Sequence, residues 1–368
     1  MNILLIGYCH LSDGFLYASK ALEQFNHKIY FFPYLIYKMD QNPDLLQDLK
    51  NSIVDNNIHI CLWWNNSILY DEINEIIQFS NQLKEINSTN NTNNTNNTNN
   101  TNKIKHIFFN WDPFLYDYHK YNVSNHWKPL IDKKKEVYSL MDVIFTCFEK
   151  EKQFFQYEPY QYKIYYNPPG FDINASKYIK NNNYNCDISF VLTNLYNNQE
   201  EFPQEATNLN RFTIVNDLYE KRDTIKFHIY GPENFKYIYP ECYKGFIKYD
   251  DAHLIFSNSK INLSIHPIIH ELNSENSSEE YFSERVPQIL GCQGLLMTNS
   301  NFTNILKKNE DYIHIHKEMD YIGLIENILK NYDNYKQIKI NGYKKALLHY
   351  QWKKWANTIN NILNENKN

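Results

Sequence analysis

The stretch Glu280-Tyr281-Phe282-Ser283-Glu284-Arg285-Val286-Pro287-Gln288 sets carboxylates, a guanidinium, a hydroxyl and a side-chain amide close together. An arginine presents a planar pair of donors that suits a diphosphate, and a carboxylate accepts hydrogen bonds from hydroxyl groups. Polar residues open the segment, an apolar helix face follows through Val286, Ile289 and Leu290, and a turn at Gly294 leads into an apolar strand ending at Thr298. Ser283 can cap the helix, and Pro287 is tolerable only in the first turn, so the helix is expected to start close to Ser283 and Glu284. Free amides and the positive end of the dipole at that terminus form a seat for phosphate. Other readings stand beside this one. Glu280 and Glu284, following Glu279, also read as a solvated acidic face, and Arg285 as its structural ion-pair partner.

Further candidates are scattered along the chain. Arg211 and Lys260 can offset the charge of a diphosphate, although Lys260, opening an apolar strand, can equally snorkel to solvent. His266, before Pro267, reads either as a ligand contact or as a satisfied histidine. In the first half, Asn110-Trp111-Asp112-Pro113 ends a strand, which makes Asp112 a candidate base and Asn110 a candidate contact. Turn chemistry explains Asp112-Pro113 as well. His10 follows the first strand at a comparable position, and Trp63 and Trp64 read as buried aromatic packing or a stacking platform. Cys292 reads as a small packed hydrophobe.

Short apolar runs alternating with longer amphipathic stretches must position these residues, the pattern of a parallel sheet wrapped by helices. Strands are expected at Met1–Tyr8, Lys28–Pro33, Ile58–Trp64, His106–Asn110 and Val143–Cys147, with helices from Ser12 or Asp13 to Phe25 and around Leu130 to Leu140. A Pro- and Gly-bearing break, Asn167-Pro168-Pro169-Gly170-Phe171-Asp172, suits a crossover between domains. Strands resume at Asp187–Leu192, Ile225–Tyr230, Ile261–His266, Gly294–Thr298 and Tyr312–Ile315. The expected architecture is α/β, with two Rossmann-like domains facing a cleft at the carboxyl ends of both sheets. The domains are an N-terminal one over 1–166, a ligand-binding one over 167–345, and a closing helix over 346–368 that packs back on the first. Residues 87–102, an Asn/Thr repeat without apolar side chains, read as a disordered insertion.

Composition narrows the classes. At 368 residues the chain exceeds what one core usually supports, given about 150 residues per domain. A formal net charge of -5 provides no general attraction to nucleic acid or anionic lipid. No stretch approaches 18 apolar residues, and no basic, apolar leader opens the chain, so no transmembrane segment and a cytoplasmic location are expected. Six cysteines without a Cys-x-x-Cys pair argue for free thiols rather than a zinc ribbon or disulfide framework.

The segment Glu280 to Gln288, with Leu290-Gly-Cys-Gln-Gly294-Leu-Leu after it, resembles the donor-site motif of group 1 glycosyltransferases, in particular their spore-maturation-type branch. The resemblance extends over about Asn167 to Trp355. Asn167 to Asp172 is similar to the family's interdomain segment, Asp187-Ile-Ser-Phe-Val to the strand opening its donor domain, and Tyr230-Gly231-Pro232 to a glycine-bearing strand end. Tyr243-Lys-Gly-Phe and Ser259-Lys260-Ile-Asn-Leu-Ser-Ile-His266 resemble the approach to a donor-site strand. The family has the GT-B fold and a Glu-x7-Glu motif. Its first Glu, by the transferred sugar, corresponds to Glu280; its second, which accepts from the ribose hydroxyls, corresponds to Gln288. The chain also departs from the pattern at Leu192-Thr193-Asn194, where glycine usually gives phosphate close access to backbone, and at Gln293.

The resemblance implies transfer of a sugar from a nucleotide-sugar donor to a glycan, protein or small-molecule acceptor, with retention of configuration. Lys260, Arg285, Arg211 and the amides near Ser283 and Glu284 would stabilise the leaving diphosphate, while Glu280 orients the sugar. Tyr281, Phe282, Gln288, Gly231 and Thr193 complete the implied donor site. His266 and Asp112 are candidate catalytic residues, with His10 and Asn110 on the acceptor side. No metal or other cofactor is required by this scheme. The alternatives are a catalytically weak or inactive binding protein on the same fold, which Gln288 favours, and a nucleotide-sugar epimerase or other Rossmann enzyme. The first strand is followed by Gly7 alone, without Gly-x-Gly-x-x-Gly, which argues against dinucleotide binding.

Overall fold

The computed structural model describes residues 1–7, 14–64, 70–91, 104–110, 135–147, 158–193, 195, 211–266, 282–302, 305–316 and 318–365. The chain forms two compact units, one of Met1–Leu11, Ala18–Asn167 and Ala356–Asn368, the other of Ser12–Tyr17 and Pro168–Trp355.

In the first unit six parallel strands, β1 (Asn2–Ile6), β2 (Lys28–Phe32), β3 (Ile60–Trp64), β4 (Lys105–Asn110), β5 (Val143–Thr146) and β6 (Ile164–Tyr166), form one sheet in the order β2-β1-β3-β4-β5-β6. Ile3 to Ile6 are buried on both faces, as the inner strand of a helix-covered parallel sheet requires. The described helices are α1 (Gly14–Glu23), α2 (Tyr34–Met39), α3 (Leu45–Asp55), α4 (Tyr70–Asn91) and α5 (135–140). α3 shows why they dock: Leu45, Leu49 and Ile53, spaced by four, are its buried residues. α4 corrects the expected start of the Asn/Thr insertion at 87, since it runs on to Asn91. Once a helix is nucleated, each added residue costs little, so it outlasts its apolar face. The rest of the repeat lies outside the described residues.

The second unit has five parallel strands, β7 (Cys186–Val191), β8 (Phe227–Tyr230), β9 (Ser259–Ser264), β10 (Leu296–Thr298) and β11 (Ile313–His314), ordered β11-β10-β9-β7-β8. Its helices are α6 (Arg211–Glu220), α7 (Phe235–Ile238), α8 (Ala252–Asn258), α9 (Arg285–Gly291), α10 (Tyr321–Lys330), α11 (Lys336–His349) and the start of α12 (Trp352–Glu365). Asp320 caps α10 by accepting the Gly323 N–H at 2.8 Å. One face of the sheet packs Ile188, Phe190, Ile229, Ile261 and Leu263. A second cluster joins Phe171, Val286, Ile289, Leu290 and Leu296.

All ten expected strands are present, with ends shifted by a few residues, and the α/β architecture of two parallel sheets is the observed one. The sheet strand that reading the sequence missed is β6, three residues whose Tyr165 and Tyr166 are only partly buried. The closing helix also begins later than expected. Ala346 lies inside α11, whose last turn ends at His349, and α12 starts at Trp352, its residues from Ala356 on grouping with the first unit. Phe171 explains the break between them. Its N–H donates to the Tyr350 carbonyl at 2.8 Å, and its carbonyl accepts the Trp352 N–H at 3.1 Å, so Gln351 bridges in parallel to Phe171 of the crossover segment.

Candidate functional site

The carboxyl ends of β7 and β9, neighbours in the second sheet, gather most of the described candidates. His266 follows β9 and is fully buried. Its Nε2 lies 2.9 Å from Ser264 Oγ and 3.4 Å from Ser283 Oγ. Burial, then the charges of Arg285 and Arg211, hold its pKa well below the usual histidine range, so the ring is neutral. Arg211, the first residue of α6, is buried and donates its Nε–H to the Ile265 carbonyl at 2.7 Å. Arg285, opening α9, donates through Nη1 to the Val191 carbonyl at 2.7 Å. Two guanidiniums are thereby fastened to adjacent strand ends, and both charges act on the uncharged imidazole. Such an arrangement favours an anion.

Backbone packing shapes the same edge. Gly231 ends β8 where a Cβ would fall 2.3 Å from the Leu192 carbonyl oxygen, so only glycine fits beside that chain turn. Thr193 follows Leu192 and is exposed at the carboxyl end of β7. Asn299, just after β10, was not singled out from sequence, yet its side chain accepts the His266 N–H at 2.9 Å and donates to the His266 carbonyl at 2.9 Å. An asparagine after a buried strand reads first as a turn residue, which is why its role was not legible.

Several expectations change. Ser283 does not cap α9: Glu284 occupies the cap position with αR backbone and no side-chain cap bond, while the Ser283 hydroxyl faces His266. Phe282, expected as a donor contact, is 1% exposed and packed 4.5 Å from Tyr350 and 5.2 Å from Phe302 between ring centroids. Lys260 lies at the amino end of β9, where its Nζ pairs with Asp187 at 2.8 Å, away from the edge carrying His266. Gln288, expected at a ribose contact, is 5% exposed, in the first turns of α9. Glu284 accepts from the Tyr249 hydroxyl at 2.8 Å. In the first unit Asn110 is fully buried at the end of β4, and its carbonyl accepts the Cys147 N–H at 3.3 Å. Trp63 is buried, its indole N–H reaching His106 at 3.2 Å, and Trp64 stacks on Phe109 at 5.1 Å. Glu280, Tyr281, Asp112 and His10 lie outside the described residues. Cys292 is fully buried, its thiol pushed up to about 12 by burial. Among the described residues no cluster of His, Cys, Asp or Glu is placed to hold a metal ion, and no helix is long and apolar enough to cross a membrane.

Residues 211–361 match the family model described as glycosyl transferase-like, a range that opens on Arg211 and contains His266, Ser283, Arg285 and Gln288. No curated protein matches the sequence. Among similar solved structures, a glycosyltransferase from Rickettsia africae is 12% identical with a TM-score of 0.59, the match covering 99% of this chain and 98% of the other. HepE of Anabaena, solved in complex with UDP-glucose, is 10% identical with a TM-score of 0.63, covering 99% and 100%. The UDP-GlcNAc 2-epimerase of Neisseria meningitidis, bound to UDP-GlcNAc, is 10% identical with a TM-score of 0.54, covering 99% and 100%. These likenesses establish the GT-B fold, which transferases and an epimerase share. The family match supplies the enzyme class, glycosyltransferase, through the second unit.

Proposed function

We propose that the chain moves a sugar from a uridine diphosphate donor to an acceptor hydroxyl, with the diphosphate held in the second unit. The observation that carries this reading is the pair Arg211 and Arg285, fastened to the Ile265 and Val191 carbonyls, whose charges both act on a neutral His266, inside the family-matched range. In glycosyl transfer the bond from the anomeric carbon to the diphosphate oxygen breaks, and negative charge grows on that oxygen. Guanidiniums already anchored to backbone need no reorganisation to meet it. Thr193 and the backbone at Gly231 border the same edge. Glu280 orients the sugar hydroxyls, and the resemblance to group 1 enzymes, of the spore-maturation type, supports a retaining outcome. On the acceptor side Asp112, His10 and Asn110 are the proposed contacts, and Asp112 the base. HepE and the epimerase were each solved with a uridine diphosphate sugar, which supports the choice of nucleotide.

A melting screen of the whole protein over UDP-, GDP- and ADP-sugars tests this, because a ligand that binds only the native state raises the melting temperature. A UDP-sugar is expected to stabilise, and Arg285→Ala and Arg211→Ala to abolish the shift. Glu280→Ala should keep the shift and lose sugar release or transfer. Stabilisation by no nucleotide sugar would favour the binding-protein alternative. Product with the sugar still on UDP but inverted at one carbon would favour an epimerase, and unchanged turnover in Glu280→Ala would remove that residue from the scheme.

A further inference from the structure

The carboxyl edge of the second sheet changes character from strand to strand. In the order β8-β7-β9-β10, Gly231 follows β8, the Val191 carbonyl that takes Arg285 ends β7, and the Ile265 carbonyl that takes Arg211 follows β9. Next along the edge is the turn Asn299-Ser300-Asn301-Phe302 after β10. This turn is firmly held. Thr298 gives its hydroxyl to the Ser264 carbonyl at 2.7 Å and accepts the Ser300 N–H at 3.1 Å, while Asn299 bonds both backbone groups of His266. The Phe302 N–H donates to the Tyr312 hydroxyl at 3.1 Å, and the Phe302 ring packs 5.2 Å from Phe282 and 5.1 Å from Tyr312. Inside it stand two polar atoms that the fold does not use. The Ser300 hydroxyl is fully buried, Asn301 Oδ1 is buried too, and neither has a hydrogen-bond partner among the described residues. An unpaired buried polar atom destabilises a fold, so native proteins keep few of them. Two on consecutive residues, at the edge of a parallel sheet where ligands bind, point to a group that arrives from outside.

Their chemistry narrows that group. Asn301 Oδ1 can only accept, and Ser300 Oγ can donate or accept, so the ligand must bring an O–H or N–H. A phosphate oxygen would be repelled by Oδ1, and a metal cation would meet the charges of Arg211 and Arg285 at the neighbouring strand exits. A neutral sugar hydroxyl meets neither objection. The other end of the edge suits the nucleoside. Phe246, 73% exposed, follows Gly245, whose carbonyl accepts the Gly231 N–H at 3.1 Å, and it offers an aromatic face to a planar base. With the diphosphate between, the sugar falls to the turn after β10, about 4.8 Å of strand spacing beyond the exit of β9.

We propose that Ser300 and Asn301 bind hydroxyls of the transferred sugar and set which hexosyl donor the protein accepts. This rests on the diphosphate reading above. The test titrates full-length protein with UDP, UDP-glucose, UDP-galactose and UDP-GlcNAc, in wild type, Ser300→Ala and Asn301→Ala. Wild type should bind one of the three sugars about tenfold or more tighter than UDP, and each variant should reduce that advantage by about three- to tenfold while its Kd for UDP stays within about twofold. Without ligand, Ser300→Ala should melt at or above the wild-type temperature, since the change removes an unpaired buried hydroxyl. A Ser300→Ala protein that melts several degrees lower would give the hydroxyl a partner inside the fold and overturn the proposal, as would variants that weaken UDP as much as its sugars. So would a sugar advantage that both variants keep, or a wild type that binds UDP and its sugars equally; these outcomes leave the diphosphate reading standing. A wild type that binds neither UDP nor any of the sugars would sink that reading, and this assignment with it.

Discussion

Asn299 closes both backbone hydrogen bonds of His266, accepting its N–H and donating to its carbonyl, each at 2.9 Å. The strand end that presents His266 is therefore held by a side chain from the neighbouring strand's exit, with no free rotation left to the peptide. Replacing Asn299 by Ala removes both partners in a buried setting, which costs about 2 kcal/mol or more. A fall in the urea midpoint at unchanged slope should report it, together with weaker nucleotide binding, because the Ile265 carbonyl that anchors Arg211 shares its peptide group with the clamped His266 N–H.

The neutral state of His266 makes a pH prediction with a definite sign. Its folded pKa lies well below the unfolded value, chiefly through burial and then through Arg285 and Arg211, so the unfolded chain binds the extra proton more readily. The stability this contributes is complete above the unfolded value, about 6.5, and is lost as the pH falls below it. His228 and His314, each pushed down to about 4 mainly by burial, act in the same direction. Melting temperatures should fall as pH drops from 7 to 5, and His266→Gln should flatten part of that slope. A slope identical to wild type would mean that folding does not lower the pKa of His266.

The sheets were legible because parallel strands buried on both faces are largely apolar, as in Ile3 to Ile6 and Ile60 to Trp63, and short apolar runs stand out between amphipathic helices. β6 escaped notice because two of its three residues are tyrosines of intermediate burial. The candidate site was legible in part: Arg211, Arg285, His266 and Gly231, singled out by residue type and local pattern, stand together at the carboxyl edge of one sheet. What sequence did not convey was partner choice. Whether Phe282 faces a sugar or Tyr350 depends on residues far away in the chain.

Lys260 provides a control. Its ammonium pairs with Asp187 at the amino ends of β9 and β7, and both side chains are partly exposed, so the pair contributes at most about 1 kcal/mol. Lys260→Met should leave UDP-induced stabilisation at the wild-type value while Arg285→Ala loses it, in the same melting assay. A Lys260→Met protein that no longer responds to UDP would return that lysine to the donor site.

Phe282 separates packing from ligand contact, since it lies two residues past Glu280 in the motif yet is packed between Phe302 and Tyr350. Truncating a buried phenylalanine removes its transfer free energy and leaves a cavity, at a cost of about 3–5 kcal/mol. Phe282→Ala should therefore lower the urea midpoint strongly, whereas Phe282→Leu, which keeps most of the volume, should lose little stability and retain nucleotide binding within about twofold. A contact residue would behave the other way round, with the leucine variant stable but unable to bind. Equilibrium unfolding and UDP titration on the two variants distinguish these outcomes.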